Sequence, residues 1–315
     1  MAERIMVTGG AGFIGAHLCA ALIKSGYRVL CVDNLSSGNL NNLKHLKNHP
    51  DFEFYYQDIT TPFNADVKQI YNLACPASPH FYQADPIQTI KTCVQGSMNV
   101  LDIARAHGAR ILQASTSEIY GDPEVHPQQE SYRGSVSPIG ARACYNEGKR
   151  CAETLFFDYQ RLYSLDIKLA RIFNTYGPGM AINDGRVVSN FIVQALRGAN
   201  LTIYGDGKQT RSFCYVDDMV EGLILMMNSH PGFAGPVNMG NPEEISIGML
   251  AETIVSLCNS NSRIAYMHLP DDDPKRRCPD IMLASEKLNW CPTTTLIDGL
   301  IKTIDYYRSI LNANS

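Results

Sequence analysis

The stretch that decides the fold reads Arg4-Ile5-Met6-Val7-Thr8-Gly9-Gly10-Ala11-Gly12-Phe13-Ile14-Gly15. Residues 4–8 are typical of a short buried strand, and the glycines after them open an apolar helix that continues to about residue 25. Gly10, Gly12 and Gly15 fit the G-x-G-x-x-G spacing, which allows a tight turn and a close approach of pyrophosphate to the backbone. The stretch therefore predicts a dinucleotide site at a helix N-terminus.

An acidic residue follows the next predicted strand, residues 27–32. Asp33 lies 18 residues after Gly15, close to the spacing of about 20 at which a carboxylate binds the ribose 2′-hydroxyl of a dinucleotide. Because a carboxylate repels a 2′-phosphate, the pattern favours NAD over NADP. Arg28 and Lys44 lie near enough in sequence to keep NADP as the alternative.

The rest of the first half alternates strands with helices. Further strands are predicted at residues 52–57, 69–74, 110–114 and 167–171, with helices near 86–106 and 142–163. This alternation predicts an α/β fold, a Rossmann-like doubly wound parallel sheet. Ligands of such sheets bind beyond the carboxyl ends of the strands, so residues 58–59, 73–74 and 115–118 should line one crevice.

Two residues of the predicted helix 142–163 suggest a reaction. Tyr145 and Lys149 are four residues apart, so their side chains leave one helix face together. A neighbouring ammonium favours the phenolate and is expected to move the tyrosine pKa from about 10 toward neutral pH, where it can act as a base on a hydroxyl group. An ordinary exposed helical pair is the alternative.

The same Tyr-x-x-x-Lys spacing recurs at Tyr204 and Lys208. Gly205 and Gly207 lie between them and predict a turn, in which four-residue spacing does not place side chains on one face. We interpret this second copy as chance.

Composition limits the class of protein. The 315 residues, 45% hydrophobic and 18% charged, are enough for one large or two closely joined lobes. No apolar stretch approaches the roughly 20 residues of a membrane span, and residues 1–8 leave no room for a signal peptide, so a cytoplasmic enzyme without membrane contact is expected. A net charge of −4 makes nucleic acid an unexpected partner.

Cysteine and histidine patterns point away from metal chemistry. The ten cysteines include no C-x-x-C and are interpreted as reduced thiols, several of them in the core. The eight histidines form no H-E-x-x-H or comparable spacing, so no metal site is expected.

The regular alternation ends near residues 176–179, where glycine and proline punctuate the chain. We therefore expect residues 1–175 to form an NAD-binding domain and residues 176–315 mainly a smaller substrate-binding lobe, from which some segments return to the first domain. Candidate anion contacts in the second half are residues 183–186, 209–211 and 275–277, with ordinary surface charge as the alternative.

Hydroxyl residues and one carboxylate follow the strand at 110–114. Thr116 can donate a hydrogen bond to the substrate oxygen that Tyr145 deprotonates, and Glu118 can position a group or shuttle a proton. A loop cluster that caps the next turn is the alternative.

Four motifs together resemble a known family. They are residues 8–15, residues 115–121, the Tyr145-x-x-x-Lys149 pair and residues 171–178. In this order they resemble the extended short-chain dehydrogenase/reductases that act on nucleotide sugars. Residues 76–79, 115–118, 121–127 and 183–191 resemble, within that family, the enzymes that decarboxylate UDP-glucuronate, and the resemblance covers nearly the whole chain.

The resemblance implies an NAD-dependent conversion of UDP-glucuronate to UDP-xylose. Tyr145, held by Lys149 and assisted by Thr116, would remove the C4 hydroxyl proton as C4 is oxidised. The resulting β-keto acid would lose carbon dioxide, the enolate would be protonated at C5, and C4 would be reduced again.

The resemblance also implies the roles of individual residues. Catalytic roles fall to Thr116, Ser117, Glu118, Tyr145, Lys149 and Arg277. Cofactor contacts are expected at Gly9, Gly12, Phe13, Ile14, Gly15, Asp33, Asn34, Asp58, Ile59, Leu73, Tyr145, Lys149, Thr175 and Arg186. Substrate contacts are expected at Lys91, Tyr159, Asn174, Arg186, Arg211 and Arg277. Relatives pair through the helices near 86–106 and 142–163, so a homodimer is expected.

Several alternatives stay open. The 4,6-dehydratases carry Asp-Glu after the threonine, whereas Ser117 of this chain cannot readily protonate a departing hydroxyl. The 4-epimerases share the oxidation step and differ in letting the sugar turn over before reduction. A decarboxylase that releases the 4-keto pentose with NADH and a dinucleotide-sensing protein without turnover are two further possibilities.

Overall fold

A parallel sheet forms the centre of the computed structural model, which describes residues 2–268 and 276–313. The strands in chain order are β1 (Arg4–Thr8), β2 (Arg28–Asp33), β3 (Phe52–Tyr56), β4 (Gln69–Asn72), β5 (Arg110–Thr116), β6 (Ile167–Ile172), β7 (Thr175–Tyr176), β8 (Leu201–Tyr204), β9 (Thr210–Ser212), β10 (Cys214–Tyr215), β11 (Val237–Met239), β12 (Glu244–Ser246), β13 (Ile264–Met267) and β14 (Arg276–Arg277). Seven of them form the sheet in the order β11-β6-β5-β4-β1-β2-β3, and all neighbours are parallel. The predicted Rossmann-like fold class is thereby confirmed.

Helices connect and cover these strands. They are α1 (Phe13–Lys24), α2 (Pro79–Tyr82), α3 (Pro86–Lys91), α4 (Ser97–His107), α5 (Ala143–Tyr163), α6 (Val187–Leu196), α7 (Val216–Met227), α8 (Ile247–Cys258), α9 (Met282–Leu288) and α10 (Leu296–Ala313). Short 3₁₀ segments lie at Leu40–Leu43 and Ser117–Tyr120. None of the helices in the described part of the chain is both long enough and apolar enough to cross a bilayer.

Helices cover both faces of the sheet, and successive side chains of each strand point to opposite faces, so each central strand contributes to two cores. Ile5 and Val7 of β1 join one core with residues of α1 and α7, whereas Met6 joins the other with residues of α4 and α5. Full burial of an aliphatic side chain of this size contributes about 1.5–3 kcal/mol to folding. The two cores therefore hold the strand ends, and the crevice beyond them, in fixed positions.

The helix predicted near 86–106 is interrupted. The structure divides it into α3 and α4, joined by a π-helical turn at Thr92–Gly96. Such a turn inserts an extra residue into the helical repeat, which the apolar periodicity of the sequence does not reveal.

The C-terminal half adds to both the sheet and the crevice. Strand β11 pairs with β6 and is the seventh strand, and α7 packs against β5 and β6. The strand has three residues, too few for a period-two pattern to predict it. Apolar residues of α6, α8 and α10 continue the core on the α1 side of the sheet.

Candidate active site

A crevice of about 1470 Å³ lies at the carboxyl ends of the central strands and extends to the C-terminal half. It is lined by Gly9, Gly12, Phe13, Ile14, Gly15, Asp33, Asn34, Asp58, Ile59, Leu73, Thr116, Ser117, Glu118, Tyr145, Lys149, Asn174, Thr175, Arg186, Arg211 and Arg277. The structure thus brings together every residue for which a cofactor, substrate or catalytic role was predicted, with two exceptions.

Lys91 and Tyr159 are the exceptions. Lys91 is the exposed last residue of α3, and the Tyr159 hydroxyl donates a hydrogen bond to Asp102 Oδ1 at 2.8 Å. Neither side chain lines the crevice of this chain.

The glycine loop fits a dinucleotide pyrophosphate. Gly9 adopts a φ of +69°, and a Cβ atom there would lie 2.8 Å from the backbone nitrogen of Ala74. At Gly15 a Cβ atom would lie 2.2 Å from the carbonyl oxygen of Gly9. No side chain therefore covers the loop backbone at Gly9 and Gly15, next to the N-terminus of α1. Amide groups and the helix dipole favour the binding of phosphate there.

Asp33 is fixed at the end of β2, directly beside this loop. Its Oδ2 accepts a hydrogen bond from the Ala11 amide at 2.9 Å, and its Oδ1 accepts one from the Leu35 amide at 2.8 Å. Burial raises the pKa of Asp33, and the two backbone hydrogen bonds oppose that rise. A carboxylate oxygen can accept a second bond, so the site remains able to bind a ribose hydroxyl.

Asp58 and Asn34 form a second polar group at the same end of the sheet. Asn34 Nδ2 donates to Asp58 Oδ2 at 2.9 Å, and Thr60 Oγ1 donates to Asp58 Oδ1 at 2.7 Å. Burial alone would raise the pKa of Asp58, but the hydrogen bonds from Thr60 and Asn34 lower it. The carboxylate is therefore held in its charged form.

Tyr145 and Lys149 lie on the buried face of α5, as their spacing predicts. Tyr145 is 5% exposed, and its ring stacks on that of Tyr82 with the centroids 4.9 Å apart. The Lys149 ammonium donates a hydrogen bond to the carbonyl oxygen of Ala114 at 2.8 Å and lies 5.9 Å from the centroid of the Tyr145 ring. The second Tyr-x-x-x-Lys copy falls in a turn after β8, which confirms the prediction for residues 204–208.

The pKa of Tyr145 differs from the sequence-based expectation. Burial raises it well above the usual value of about 10, and charges of Cys75 and Glu118 add to the rise, whereas a hydrogen bond with Thr116 lowers it. The phenol is buried in a ring stack, and the Lys149 ammonium donates its hydrogen bond to a backbone carbonyl. In this structure desolvation therefore outweighs the ammonium, and the phenol is neutral.

A charged group lies beside the tyrosine. Arg277 Nη1 donates a hydrogen bond to Glu118 Oε1 at 3.2 Å, and Arg142 Nη1 lies 3.8 Å from the same oxygen. Arg277 is 6% exposed, and its Nε and the Glu118 Oε2 have no hydrogen-bond partner among the described residues. Buried polar atoms are normally satisfied, so this pair is suited to a polar ligand.

Arg142 is a crevice residue that the sequence reasoning did not select. It directly precedes α5, three residues before Tyr145. Its position at the predicted start of the helix could have identified it, because a residue that directly precedes a helix lies close to the first turn, which here contains Tyr145.

The remaining basic residues lie farther along the crevice. Arg186 Nε is 2.8 Å from Asp184 Oδ2, just before α6. Arg211 is a buried residue of β9, and Asn174 lies between β6 and β7. Arg186 and Arg211 therefore bring positive charge to the part of the crevice that the C-terminal half of the chain lines.

One group of side chains could hold a metal ion in the part of the chain described, namely His126, Glu244 and Cys278. His126 Nε2 lies 3.0 Å from Glu244 Oε2, but Arg276 Nη2 lies 3.2 Å from the same oxygen. The guanidinium already supplies positive charge to this carboxylate.

A family model described as the NAD dependent epimerase/dehydratase family matches residues 5–240. The chain belongs to this family. UDP-glucuronic acid decarboxylase 6 of Arabidopsis thaliana is 55% identical over 298 residues, which are 94% of this chain and 86% of that protein. UDP-glucuronic acid decarboxylase 1 of Xenopus tropicalis is 51% identical over 309 residues, 98% of this chain and 73% of that protein.

A solved epimerase structure has the same fold. The UDP-glucuronic acid 4-epimerase of Bacillus cereus, in complex with UDP-glucuronic acid and NAD, superposes with a TM-score of 0.87 at 27% identity. The match covers 98% of this chain and 99% of the epimerase. Family and fold together confirm the expectation of a Rossmann-like enzyme that depends on NAD.

Proposed function

We propose that this chain is a UDP-glucuronate decarboxylase, which converts UDP-glucuronate to UDP-xylose and carbon dioxide. Relatives with 51% and 55% identity carry that name. The observation that carries the proposal is the position of Arg277. Its buried guanidinium lines the crevice that holds Tyr145, so a sugar carboxylate and the hydroxyl to be oxidised can be bound in the same place.

Residues of the first half would hold the cofactor. The glycine loop at Gly9, Gly12 and Gly15 leaves room for a pyrophosphate, and Asp33 is placed for a ribose hydroxyl. When bound, NAD supplies a hydride acceptor for C4 of the sugar and a positive charge that favours the phenolate of Tyr145.

Tyr145 would act as the base for the C4 hydroxyl group. Its phenolate oxygen would accept the C4 hydroxyl proton, and Thr116 would hold that oxygen by a hydrogen bond. Lys149 would stabilise the phenolate and keep α5 fixed against β5 through its bond to Ala114. After proton uptake the phenol is neutral, and the high pKa that burial imposes makes it a stable hydrogen-bond donor to the C4 ketone.

Arg277 and Glu118 would act on the carboxylate at C5. A planar guanidinium can bind two carboxylate oxygens at once and so fixes the direction in which carbon dioxide leaves. The C5–carboxylate bond breaks, its electron pair is delocalised onto the C4 oxygen, and C5 then receives a proton from water. Hydrogen bonds to that oxygen stabilise the enolate, an effect worth about 2.7–4 kcal/mol per donor in comparable sites.

The nucleotide would bind in the C-terminal half. Arg186 and Arg211 line that part of the crevice and can pair with the diphosphate, since guanidinium groups match two phosphate oxygens. Asn174 lines the same crevice, and we assign it with these arginines to the substrate nucleotide or the cofactor phosphates.

Analysis of products from three substrates tests the proposal. The chain is incubated with NAD and UDP-glucuronate, UDP-galacturonate or UDP-glucose, and the products are analysed by mass spectrometry. We expect loss of carbon dioxide from UDP-glucuronate alone. A product of unchanged mass and altered stereochemistry would establish a 4-epimerase instead, the activity named for the Bacillus cereus structure.

The absorbance of NADH distinguishes a decarboxylase that reduces C4 again from one that releases the 4-keto pentose. If C4 is reduced again, the cofactor is regenerated and NADH does not accumulate. Steady accumulation during turnover would show that the 4-keto pentose is released and would exclude the redox-neutral scheme.

We also propose that the chain forms a homodimer through α3 and α5. Ile87 is 63% exposed and Leu162 is 73% exposed, and the neighbouring Ile90 and Tyr163 are exposed as well. Exposed apolar residues on adjacent helices favour an interface. Light scattering should give the mass of two chains, and Leu162→Lys should give one, whereas Ile297→Lys on α10 should have no effect. A wild-type mass of one chain would reject the dimer.

A further inference from the structure

Two cysteines that the proposed reaction does not use lie against each other beside the catalytic helix. Cys75 follows β4 in the loop at the carboxyl end of the sheet, and Cys93 lies in the π-helical turn between α3 and α4. Their sulfur atoms are 3.3 Å apart. The structure contains them as free thiols.

Cys93 also contacts the helix that carries the catalytic pair. A Cβ atom on Gly148 would lie 2.9 Å from Cys93 Cβ and 3.1 Å from Cys93 Sγ, so the absence of a side chain at Gly148 allows this packing. Gly148 lies between Tyr145 and Lys149 on α5. A movement of Cys93 is therefore transmitted directly to the turn that positions both residues.

The two thiols differ in access. Cys75 is half-buried and lines the crevice, from which a small reagent can approach it, whereas Cys93 is 2% exposed. A second close pair, Cys19 and Cys31, has no exposed surface and does not line the crevice. Reaction from the crevice should therefore select Cys75.

The two thiols also differ in how readily they ionise. The hydrogen bond with Cys93 and burial raise the pKa of Cys75, whereas the hydrogen bond from Cys75 lowers the pKa of Cys93. The Lys149 ammonium lowers the pKa of Cys93 further, against the effect of burial. Cys93 therefore ionises more readily than Cys75, which suits it to attack a sulfenic acid formed on Cys75.

We propose that Cys75 and Cys93 form a reversible disulfide with peroxide as the oxidant, and that this disulfide switches off the adjacent active site. The Cys75 sulfur attacks one peroxide oxygen and the O–O bond breaks, which yields a sulfenic acid and one water. Cys93 then attacks the sulfenic sulfur and expels a second water. Two thiols thus lose two electrons and two protons to one hydrogen peroxide, and an external dithiol reverses the step.

Formation of the bond must move the backbone or side chains around the catalytic pair. A disulfide has a sulfur–sulfur distance of about 2.05 Å, whereas the thiols are 3.3 Å apart. The π-helical turn is a loosely wound segment and can take up part of this approach. Misplacement of catalytic groups by about 1 Å reduces rates on the order of 10²-fold, so a large loss of activity is expected.

Peptide mapping of the enzyme with bound NAD tests this proposal. Wild type is treated with a small excess of hydrogen peroxide, remaining thiols are alkylated, and the protein is digested without reductant. We expect a peptide that links Cys75 to Cys93, with a mass lower by two hydrogens than the separate peptides. Decarboxylation should fall on the order of 10²-fold and return after addition of dithiothreitol.

Two variants serve as controls. In Cys93→Ser the linked peptide should be absent, and dimedone should trap the sulfenic acid on Cys75. Cys291→Ser removes an exposed cysteine of the C-terminal half and should behave like wild type. Absence of the linked peptide from oxidised wild type, or its presence with full activity, would overturn the proposal.

The predicted loss of activity rests on the proposed decarboxylation, whereas the predicted disulfide between Cys75 and Cys93 does not. A linked peptide in a protein that lacks decarboxylase activity would reject the proposed function and leave the disulfide intact. The two failures are therefore distinguishable.

Discussion

At the scale of single residues, the proposed chemistry depends on the surroundings of one phenol. Tyr145 and Lys149 could be selected from the sequence because their spacing and helical setting are local properties. The stack on Tyr82 and the bond from Lys149 to Ala114 are contacts between distant segments, and no local pattern reports them. For that reason the sequence predicted a lowered pKa for Tyr145, whereas burial raises it.

Removal of the phenol oxygen should abolish turnover. We expect Tyr145→Phe to reduce kcat by roughly 10²–10⁴-fold, the range for loss of a general base. Tyr82→Phe is the matched control, because the Tyr82 hydroxyl is buried without a hydrogen-bond partner among the described residues. Initial rates of UDP-xylose formation measure both. A Tyr145→Phe enzyme with wild-type kcat would eliminate the phenol as the base.

The pH profile should report the hydrogen bond from Thr116. That bond lowers the pKa of Tyr145, and the base is the deprotonated form, so activity should increase with pH. Without the bond the pKa rises further, and Thr116→Val should move the rising limb of kcat/KM to higher pH. Profiles of both enzymes from neutral to alkaline pH provide the test, and a shift toward acid would refute the assignment.

Arg277 should be needed for loss of carbon dioxide more than for substrate binding. Arg277→Lys keeps the charge but loses the planar two-point contact, and we expect kcat to fall about 10²–10³-fold. Arg276→Lys changes the adjacent, more exposed arginine and should be nearly silent. Release of labelled carbon dioxide from UDP-glucuronate measures the step. Equal effects of the two substitutions would contradict the assignment.

At the scale of elements, the strands and helices of the first half follow from periodicity and glycine placement. The structure begins and ends β1 at the predicted residues and places α5 within one residue of its predicted start. What could not be predicted has a physical reason in each case. The π-helical turn at Thr92–Gly96 is held by tertiary packing, and β11 is too short to carry a pattern.

The glycine loop offers a prediction at this scale. In Gly15→Ala the new Cβ would lie 2.2 Å from the Gly9 carbonyl oxygen, so the loop must shift. We expect weaker NAD binding and a loss of about 1–3 kcal/mol in the free energy of unfolding, as for other overpacked sites. At Gly248 in α8 the nearest atom to a new Cβ is 3.4 Å away, and Gly248→Ala should not destabilise.

Calorimetric titration with NAD and denaturant unfolding measure these two effects. Tight NAD binding by Gly15→Ala would show that the loop does not hold the pyrophosphate.

At the scale of the whole molecule, the crevice combines residues from both halves of the chain. The base lies on α5 in the first half, whereas Arg277 lies on β14 in the second. Sequence spacing cannot show that residues 132 positions apart line one crevice (277 − 145 = 132). Only the resemblance to a family could place Arg277 at the site, and the structure supplies the contact with Glu118.

The central claim is that the sugar is oxidised at C4, loses carbon dioxide and is reduced again at the same carbon. Turnover of UDP-glucuronate in deuterated water tests it most directly, with the product analysed by mass spectrometry and NMR. We predict UDP-xylose with one solvent deuterium at C5 and the original hydrogen retained at C4. Solvent deuterium at C4, or a product that keeps its carboxylate, would contradict the account.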